Sequence, residues 1–500
     1  MSEGPLGKRT LDWWLLAVPL LLGVLPRIPD IFYHFRDWDE ASMMAQAWSM
    51  TRGQVLYRDV PQIHGTLNIA LFVPFFAVLP PDAAPHAIKV FNLLLVVLGA
   101  FLMRSVAQIW FGDRLAALAA AAIFAFSLGR SWALSSHGEF YTPFLILLSA
   151  RFLFQPVTGL PLNSLLVGGL WGTAFCVKQV AAFDAIGLYG AWRIFAGPGA
   201  TTWTATLNQG VGAVGAVGVV GLWFVRLGVG QAWVDSTLLR PLLYTGLVGG
   251  AGGMPMSDSL LAVSRGFVTH LWLAVIATAG GVVALLASRR AWSGRLERGD
   301  SLFLVTLVWA ATVFAGIWLT GRFYEHYLLQ LVPALSLTSV FLLTQLPEGI
   351  RRVVFAGVLA GLLGAAALAS GREVAALGRQ AWVPDDVRQS RQIARSIRAS
   401  TAEHDRIFLY KVRNLDLFFL SGRLPAAGIT MFIDMVAEHS RDPALEARKQ
   451  RELLDDPPAL ILVDPRWKFD TAEAFFRNLL HQKYVSGATV AGVHFYHRRE

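Results

Sequence analysis

The chain has 500 residues, of which 55% are hydrophobic and only 15% carry a charge. Soluble proteins are about one quarter charged, so this composition excludes an ordinary soluble globular protein. The net charge of +9 does not indicate nucleic-acid binding, because the arginines cluster between apolar runs, where they orient membrane helices. The single cysteine, Cys176, cannot form an internal disulfide.

The apolar runs predict ten or eleven transmembrane helices before residue 372, since a membrane helix needs about 20 mostly apolar residues. The first run follows Lys8 and Arg9 and lacks a small-residue cleavage site, which predicts an uncleaved helix. The stretch 66–80 is short and contains Pro74, so a re-entrant or half-buried helix is expected there. The other spans are predicted at 87–109, 113–135, 140–158, 161–177, 181–197, 206–226, 267–288, 300–319, 328–346 and 353–371.

Orientation follows from the arginine-rich loop at 289–298 and the Arg351–Arg352 pair, which the positive-inside rule places in the cytoplasm. Four segments are then predicted to share the external face: residues 31–65, 228–266, 320–327 and everything after 372. For a bacterial inner membrane, this face is the periplasmic one. An active site on this face would therefore lie outside the cytoplasm.

The character of the chain changes at residue 372, where charges become frequent and apolar runs shrink to strand length. A helix at 391–400, strands at 407–410 and 460–463, a helix at 472–480 and a last strand at 489–496 are expected. The predicted fold is an all-α polytopic membrane domain (1–372) followed by a small α/β soluble domain (373–500) without catalytic residues.

The first predicted external loop contains Asp37, Asp39 and Glu40, three carboxylates within four residues. An acidic helix N-terminus explains one of them well and three of them poorly. The alternative is a general base or a set of ligands for a divalent metal. His64, where the loop re-enters the membrane, is a candidate phosphate or metal ligand, although a lone interfacial histidine is more often simply solvated.

Three further candidates fall on the same predicted face. Glu139 opens an apolar helix, and a carboxylate at membrane depth indicates a functional site as readily as an interfacial helix charge. Lys178 interrupts an apolar stretch and could hold a phosphate or pair with Asp184. Arg322 and His326 are four residues apart, so they could share a helix face and bind phosphate oxygens, or belong to an ordinary aromatic belt.

The ordered set of motifs resembles the GT-C glycosyltransferase superfamily. The segments are Asp39-Glu40, Tyr57-Arg58-Asp59, His64-Gly65-Thr66-Leu67, Glu139 before Thr142-Pro143, Lys178-Gln179 and Arg322 to Tyr327. The branch that it looks like contains bacterial relatives of the dolichyl-phosphate-mannose protein mannosyltransferases and the lipid A aminoarabinose transferase. The chain departs from these relatives where they often have Lys-Pro or Gly-Pro, at His64 to Thr66, and where they often have Pro, at Glu325.

The resemblance implies a glycosyltransferase that moves a sugar, with inversion, from a polyprenyl-phosphate donor to a glycan, lipid or protein acceptor outside the cytoplasm. Asp39, with Glu40 beside it, would be the first acidic position and Glu139 the second. Elementary chemistry agrees, because Lys178, Arg322, His326 or His64 could stabilise the leaving phosphate. A divalent cation could bridge phosphate and the possible ligands Asp39, Glu40 and His64. No nucleotide cofactor is expected.

The sequence is also compatible with other functions. A transporter or flippase for a lipid-linked sugar would also need cations near a phosphate, but it predicts paired repeats, and none is visible in the sequence. A structural membrane protein would tolerate replacement of the loop acids. A ligase or polymerase of lipid-linked glycans shares donor and location, so the sequence separates it poorly.

Overall fold

A computed structural model describes residues 17–499 outside these gaps: 62–64, 131–132, 155–159, 201–202, 242–260, 262–263, 266–274, 276–277, 283–297, 321–323, 436–441 and 467–472. The chain forms two compact units. The helical unit comprises Met1–Asp30, Val90–Val220 and Gly250–Ala375, and the mixed unit comprises Ile31–Lys89, Gly221–Gly249 and Ala376–Glu500.

Helices dominate the described residues. In chain order they are α1 (Trp38–Thr51), α2 (Thr66–Ala70), α3 (Val73–Val78), α4 (Ala84–Phe111), α5 (Arg114–Leu128), α6 (Gly138–Phe154), α7 (Leu160–Val177), α8 (Ala181–Ala200), α9 (Trp203–Arg226), α10 (Gly230–Val234), α11 (Arg298–Leu319), α12 (Val332–Gln345), α13 (Glu348–Arg379), α14 (Asp385–Ser400), α15 (Leu417–Ser421), α16 (Pro443–Asp455) and α17 (Glu473–Lys483).

Several of these helices can cross a membrane. Among the described residues, five segments are long and apolar enough: Ala84–Phe111, Trp203–Arg226, Ser301–Leu319, Glu325–Gln345 and Glu348–Arg379. Large apolar side chains such as Leu207 and Val214 on α9 and Val353 on α13 are exposed, as expected for helices that face lipid. The chain is a multi-pass membrane protein, and the predicted fold class is confirmed. The predicted span at 267–288 lies mostly outside the described residues.

The stretch 66–80, predicted to be re-entrant or half-buried, forms two short helices rather than one. α2 and α3 contain five and six residues and are joined at Leu71 and Phe72. The 13 residues from Thr66 to Val78 rise only about 20 Å at 1.5 Å per residue. This is less than the roughly 30 Å of a bilayer core, so the segment is too short to span it alone.

Close helix contacts in the helical unit depend on glycine. A Cβ on Gly187 would lie 3.0 Å from the Trp309 indole, and one on Gly316 would lie 2.4 Å from the Phe183 ring. These two glycines therefore let α8 and α11 pack closely, as small residues do between membrane helices. The fully buried Arg27 donates to the carbonyl oxygens of Leu128 and Ala133, which would otherwise remain unsatisfied beyond α5.

The C-terminal residues form a four-stranded sheet with the order β1-β2-β4-β3. Its strands are β1 (Ile407–Tyr410), β2 (Leu460–Val463), β3 (Tyr484–Val490) and β4 (Val493–Arg498). β1 and β2 are parallel, whereas β4 is antiparallel to both β2 and β3. The first two strands lie where the sequence predicts them.

The sequence predicts a single last strand at 489–496. The structure corrects this prediction, because β3 and β4 form a hairpin there. The chain turns at Ala491 and Gly492, whose φ angles are +51° and +83°. Two consecutive positive φ angles are typical of the type I′ turn that joins antiparallel strands. Ala491 gave no turn signal, since alanine rarely adopts a positive φ.

The first predicted external loop and the C-terminal sheet belong to the same packed unit. Gly428, with φ +69°, lies so close to the loop that a Cβ there would be 1.5 Å from the Asp59 carbonyl oxygen. The Thr430 hydroxyl lies 2.9 Å from the Ser42 hydroxyl of α1 and accepts from Gln46 at 3.1 Å. The boundary at residue 372, between a membrane domain and a soluble domain, stays a prediction, because the two compact units are divided on a different basis.

A buried charge network also joins these segments of the mixed unit. His34, whose side chain is inaccessible to solvent, places Nδ1 2.9 Å from Asp416 Oδ2 and Nε2 3.3 Å from Asp82 Oδ1. Ser390 donates to the other Asp416 oxygen, and Arg391 binds Asp82 through two hydrogen bonds of 3.1 and 2.8 Å. The imidazole therefore bridges one buried and one half-exposed carboxylate.

Protonation of His34 should make the mixed unit more stable at mildly acidic pH. Burial alone would lower the pKa of His34, but the hydrogen bonds and charges of Asp416 and Asp82 raise it above its ordinary value of 6.5. His86 and Arg391 complete its charged surroundings. Because the folded pKa is raised, this stability is complete below pH 6.5 and is lost as pH rises through the folded pKa.

We therefore expect His34→Gln to lower the thermal midpoint of the detergent-solubilised protein most strongly near pH 6, since breaking a buried ion pair costs about 3–5 kcal/mol. The difference from the wild type should shrink towards pH 9. Asp82 does not affect the comparison between pH 6 and pH 9. Its pKa is lowered, so its contribution to stability is lost only below about pH 4. The exposed His404→Gln is the control, and an equal deficit at all pH values would contradict the assignment.

Candidate active site

A buried ion pair lies at the start of α6 in the helical unit. Glu139 Oε1 is 2.9 Å from Lys178 Nζ, with exposures of 2% and 13% for the two side chains. Gly138 favours this approach, because a Cβ there would make tight contacts of 3.0 Å with the Val177 carbonyl oxygen and 3.1 Å with Lys178 Cβ. The end of α7 can thus meet the first turn of α6, and two predicted site residues are in direct contact.

Aromatic and imidazole rings pack beside this pair. The rings of His137 and His326 stack at 4.1 Å with an interplanar angle of 4°, and Tyr324 continues the stack beyond His326 at 5.6 Å. The Lys178 ammonium lies 5.2 Å from the centre of the Tyr327 ring. The cation–π contact and the nearby carboxylate hold the ammonium in place within an environment of low dielectric.

We call the group formed by Glu139, Lys178, His137, His326 and Tyr327 the helical-unit cluster. It has one carboxylate, one ammonium and two imidazoles that could carry protons. Such a set can bind an anion, because an ammonium and imidazole N–H groups donate charge-assisted hydrogen bonds to phosphate oxygens. Two of its members, His326 and Tyr327, lie at the start of Glu325–Gln345, a segment long and apolar enough to cross a membrane, which suits an anion on a lipid.

The structure decides between the two partners open to Lys178. Asp184, the alternative, accepts a 3.0 Å hydrogen bond from Trp309 Nε1 instead, and both groups are buried between α8 and α11. Lys178 pairs with Glu139. Asp184 is therefore a packing contact between two helices rather than part of the cluster.

The three acids of the first loop differ in their local environments within the mixed unit. Asp37 is the N-cap of α1 and accepts a 2.9 Å hydrogen bond from the Glu40 backbone N–H. Glu40 is fully buried, where it accepts from Arg36 N at 2.7 Å and pairs with Lys89 Nζ at 2.6 Å. Asp39, between them in the first turn, is partly exposed. Capping thus accounts for Asp37, and ion pairing for Glu40.

Thr66 links the end of the first loop to the mixed unit. Its hydroxyl lies 2.7 Å from the Tyr57 hydroxyl and accepts from Trp233 Nε1 at 3.0 Å. Tyr57 itself has a φ of +70°, which is rare for a non-glycine residue, and its ring packs against Phe224. Such strain persists only where the surroundings fix it, and strained positions are often functional.

Some predicted site residues lie outside the described part of the chain, and sequence reasoning missed others. His64 and Arg322 fall within the undescribed segments 62–64 and 321–323. The contributions of His137, Tyr327 and Lys89 were not predicted. The sequence offered a signal for two of them, because His137 lies two residues before Glu139 and Tyr327 directly follows His326. Lys89 gave none, because its partner is 49 residues away.

The helical architecture and the C-terminal sheet together form the GT-C fold, as the resemblance implies. ArnT from Cupriavidus metallidurans bound to undecaprenyl phosphate is similar, with a TM-score of 0.61 and 13% identity, over 99% of this chain and 98% of that chain. The apo state of ArnT gives 0.60 and 13%, over 98% of both chains. No family model and no curated protein matches the sequence.

A second protein with this fold is the oligosaccharyltransferase of Archaeoglobus fulgidus in its apo form. Its TM-score is 0.53 at 11% identity, over 98% of this chain and 74% of that chain. At identities this low, the TM-scores show a common fold and no more. They leave the reaction to be argued from the side chains of this chain.

Proposed function

We propose that this protein is a membrane glycosyltransferase that takes a sugar from a polyprenyl-phosphate donor. The observation that carries the proposal is the helical-unit cluster on a GT-C fold, with the Lys178 ammonium fixed by Glu139 and Tyr327. Undecaprenyl phosphate, the lipid bound in the ArnT structure, is a polyprenyl phosphate, which supports a donor of this class. The sugar and the acceptor are left open.

The chemistry of the donor explains why cations are needed. A polyprenyl-phosphate sugar is a phosphodiester with one negative charge, and loss of the sugar leaves a phosphomonoester with two. The extra charge develops in the transition state, where a fixed ammonium stabilises it most. We propose that Lys178 and His326 act on this phosphate. Arg322 would add a bidentate contact, and His64 a further one.

The acceptor requires a base. Its hydroxyl oxygen would attack the anomeric carbon as the bond from that carbon to the phosphate oxygen breaks, and its proton would pass to a carboxylate. We propose Asp39 for this role, because it is partly exposed, whereas Glu40 is buried against Lys89. Attack opposite the leaving phosphate inverts the anomeric centre. The proposed role of Glu139 is to hold the Lys178 ammonium.

A divalent cation fits this scheme at Asp39 better than at Glu40. An accessible carboxylate is a good ligand for Mg²⁺, whereas the Glu40 carboxylate is already neutralised by Lys89. His64 is the remaining candidate ligand. A bound cation would supply charge stabilisation at the phosphate in addition to that of the chain's own ammonium.

We also propose that the reaction takes place on the external face of a bacterial inner membrane. The arginine-rich segments at 289–298 and 351–352 favour this orientation. The first loop, residues 320–327 and the C-terminal domain would then be periplasmic. The acceptor would be a glycan, lipid or protein of the cell envelope.

The decisive experiment reconstitutes the purified chain in lipid nanodiscs with radiolabelled polyprenyl-phosphate sugars and crude envelope acceptors. We expect release of free polyprenyl phosphate together with transfer of label to an acceptor. Comparison of the transfer rates with and without EDTA shows whether the reaction depends on a metal. A flippase or transporter would move the intact donor between leaflets of proteoliposomes without cleaving it. Donor translocation without cleavage for every sugar tested would overturn the proposal.

A further inference from the structure

An arginine-lined cleft opens in the mixed unit, and two of its lining residues, Asp82 and Arg391, belong to the charge network of His34. Its volume is about 560 Å³, within the usual range for small-ligand sites, and its lining includes Pro80, Asp82, Arg391, Arg395, Arg398 and Phe419. We call it the arginine cleft. Three guanidinium groups line it against a single carboxylate.

The three arginines follow one face of α14. They are spaced four and three residues apart, so they lie above one another on the helix surface. Ile393 and Ile397, which point away from the arginine row, are buried. Like charges at this spacing destabilise a helix by a few tenths of a kcal/mol per pair, and the acids of α14 are confined to its first turn. An anion bound across the row would remove that repulsion.

The charge of the cleft is not balanced by its own carboxylate. Asp82 is bound by Arg391 through two hydrogen bonds and lies 3.3 Å from His34. Arg398 uses one of its five N–H donors on the Leu420 carbonyl oxygen. Arg395 is exposed and makes no hydrogen bond or ion pair with any part of the chain that the structure describes. Two guanidinium groups thus remain able to bind a ligand.

The position of the cleft indicates where its ligand comes from. Pro80 and Pro81, which form part of its wall, are only a few residues before α4, a helix long enough to cross the membrane. The wall also contains the apolar side chains of Phe419 and Leu420. An arginine fork matches phosphate geometry bidentately, and the apolar wall suits the adjoining part of an amphiphile.

We propose that the arginine cleft is a second anion site that binds the phosphate group of a membrane-anchored ligand, with Arg395 and Arg398 as the phosphate contacts. Arg391 is a positioning residue, because its guanidinium is held by Asp82. The proposal is independent of sugar transfer and of the helical-unit cluster.

The test uses the full chain in neutral detergent, titrated with inorganic phosphate by calorimetry, and in nanodiscs of phosphatidylcholine with or without phosphatidylglycerol. We expect the double variant R395Q/R398Q to weaken phosphate binding at least tenfold. R448Q, which removes an exposed arginine paired with Glu452 on α16, is the matched control and should bind normally. The double variant Glu139→Gln/Lys178→Met should retain the phosphate binding that depends on Arg395 and Arg398, which separates this site from the proposed donor site.

The two arms distinguish the source of the phosphate. Binding of both inorganic phosphate and phosphatidylglycerol supports a general phosphate site. Binding of phosphatidylglycerol alone supports a lipid headgroup site. In both cases the binding must depend on Arg395 and Arg398. The proposal would be overturned if the wild type does not bind phosphatidylglycerol, or if R395Q/R398Q has unchanged affinity in both arms. The thermal midpoints of R395Q/R398Q and R448Q, expected to stay close to that of the wild type, show that these exposed substitutions leave the fold intact.

Discussion

Asp39→Asn is expected to reduce sugar transfer by about 10²- to 10⁴-fold, the usual contribution of a general base. The amide keeps the shape of the side chain but cannot accept the proton of the acceptor hydroxyl. Donor binding should be nearly unchanged, because the phosphate contacts are proposed to come from other residues. The measurements are initial rates of transfer and the affinity for a non-cleavable donor analogue, both in nanodiscs.

Two neighbouring acids provide controls for Asp39. Asp37→Asn should retain activity, since asparagine caps a helix as well as aspartate does and α1 would stay intact. Glu40→Gln should instead lower stability, because it leaves the buried Lys89 ammonium without its charged partner. If Asp39→Asn transfers sugar normally while Glu40→Gln is folded and inactive, Glu40 is the base and our assignment is wrong.

Separate removal of the two charges of the Glu139–Lys178 pair should destabilise the protein far more than removal of both. Either Glu139→Gln or Lys178→Met leaves one charge buried without its partner, at a cost of about 3–5 kcal/mol. The double variant should recover most of that stability, because replacing a whole buried pair is often nearly neutral. Thermal midpoints in detergent measure these differences.

Function should not recover with stability. Lys178→Met and the double variant should both bind the donor about 10- to 100-fold more weakly, since each lacks a charged hydrogen bond to phosphate worth about 1.5–3 kcal/mol. Asp184→Asn is the matched control, a buried carboxylate of the same unit that accepts a hydrogen bond from Trp309, and it should leave donor binding unchanged. Full activity in the double variant would show that the pair is purely structural.

Much of the helical architecture could be predicted from the sequence, because lipid imposes a strong local constraint. Backbone groups in a bilayer must be satisfied within the helix, so each span is a continuous apolar run that can be found by inspection. The predicted spans at 87–109, 161–177 and 300–319 differ by only a few residues from the helices Ala84–Phe111, Leu160–Val177 and Arg298–Leu319. The acidic start of α1 could also be predicted from neighbouring residues, since an N-cap acts within one helical turn.

The candidate site was only partly accessible to such reasoning. Glu139 and Lys178 could be chosen one at a time, because an ionisable residue in an apolar run is conspicuous. Their partnership could not, since Asp184 was nearer to Lys178 in sequence and equally suitable in charge. The His137–His326 stack joins residues 189 positions apart, and its sequence signal is no stronger than that of any histidine near a membrane surface.

The sequence by itself determined that this chain is a multi-pass membrane protein with a small α/β tail, and which charged residues stand in apolar surroundings. Only the tertiary structure decided how those charges are used: Glu40 is neutralised by Lys89, Lys178 by Glu139, and Asp82 by Arg391 and His34. The physical reason is that hydrophobic periodicity acts over one helix, whereas the pairing of buried charges depends on which helix ends packing brings within about 3 Å.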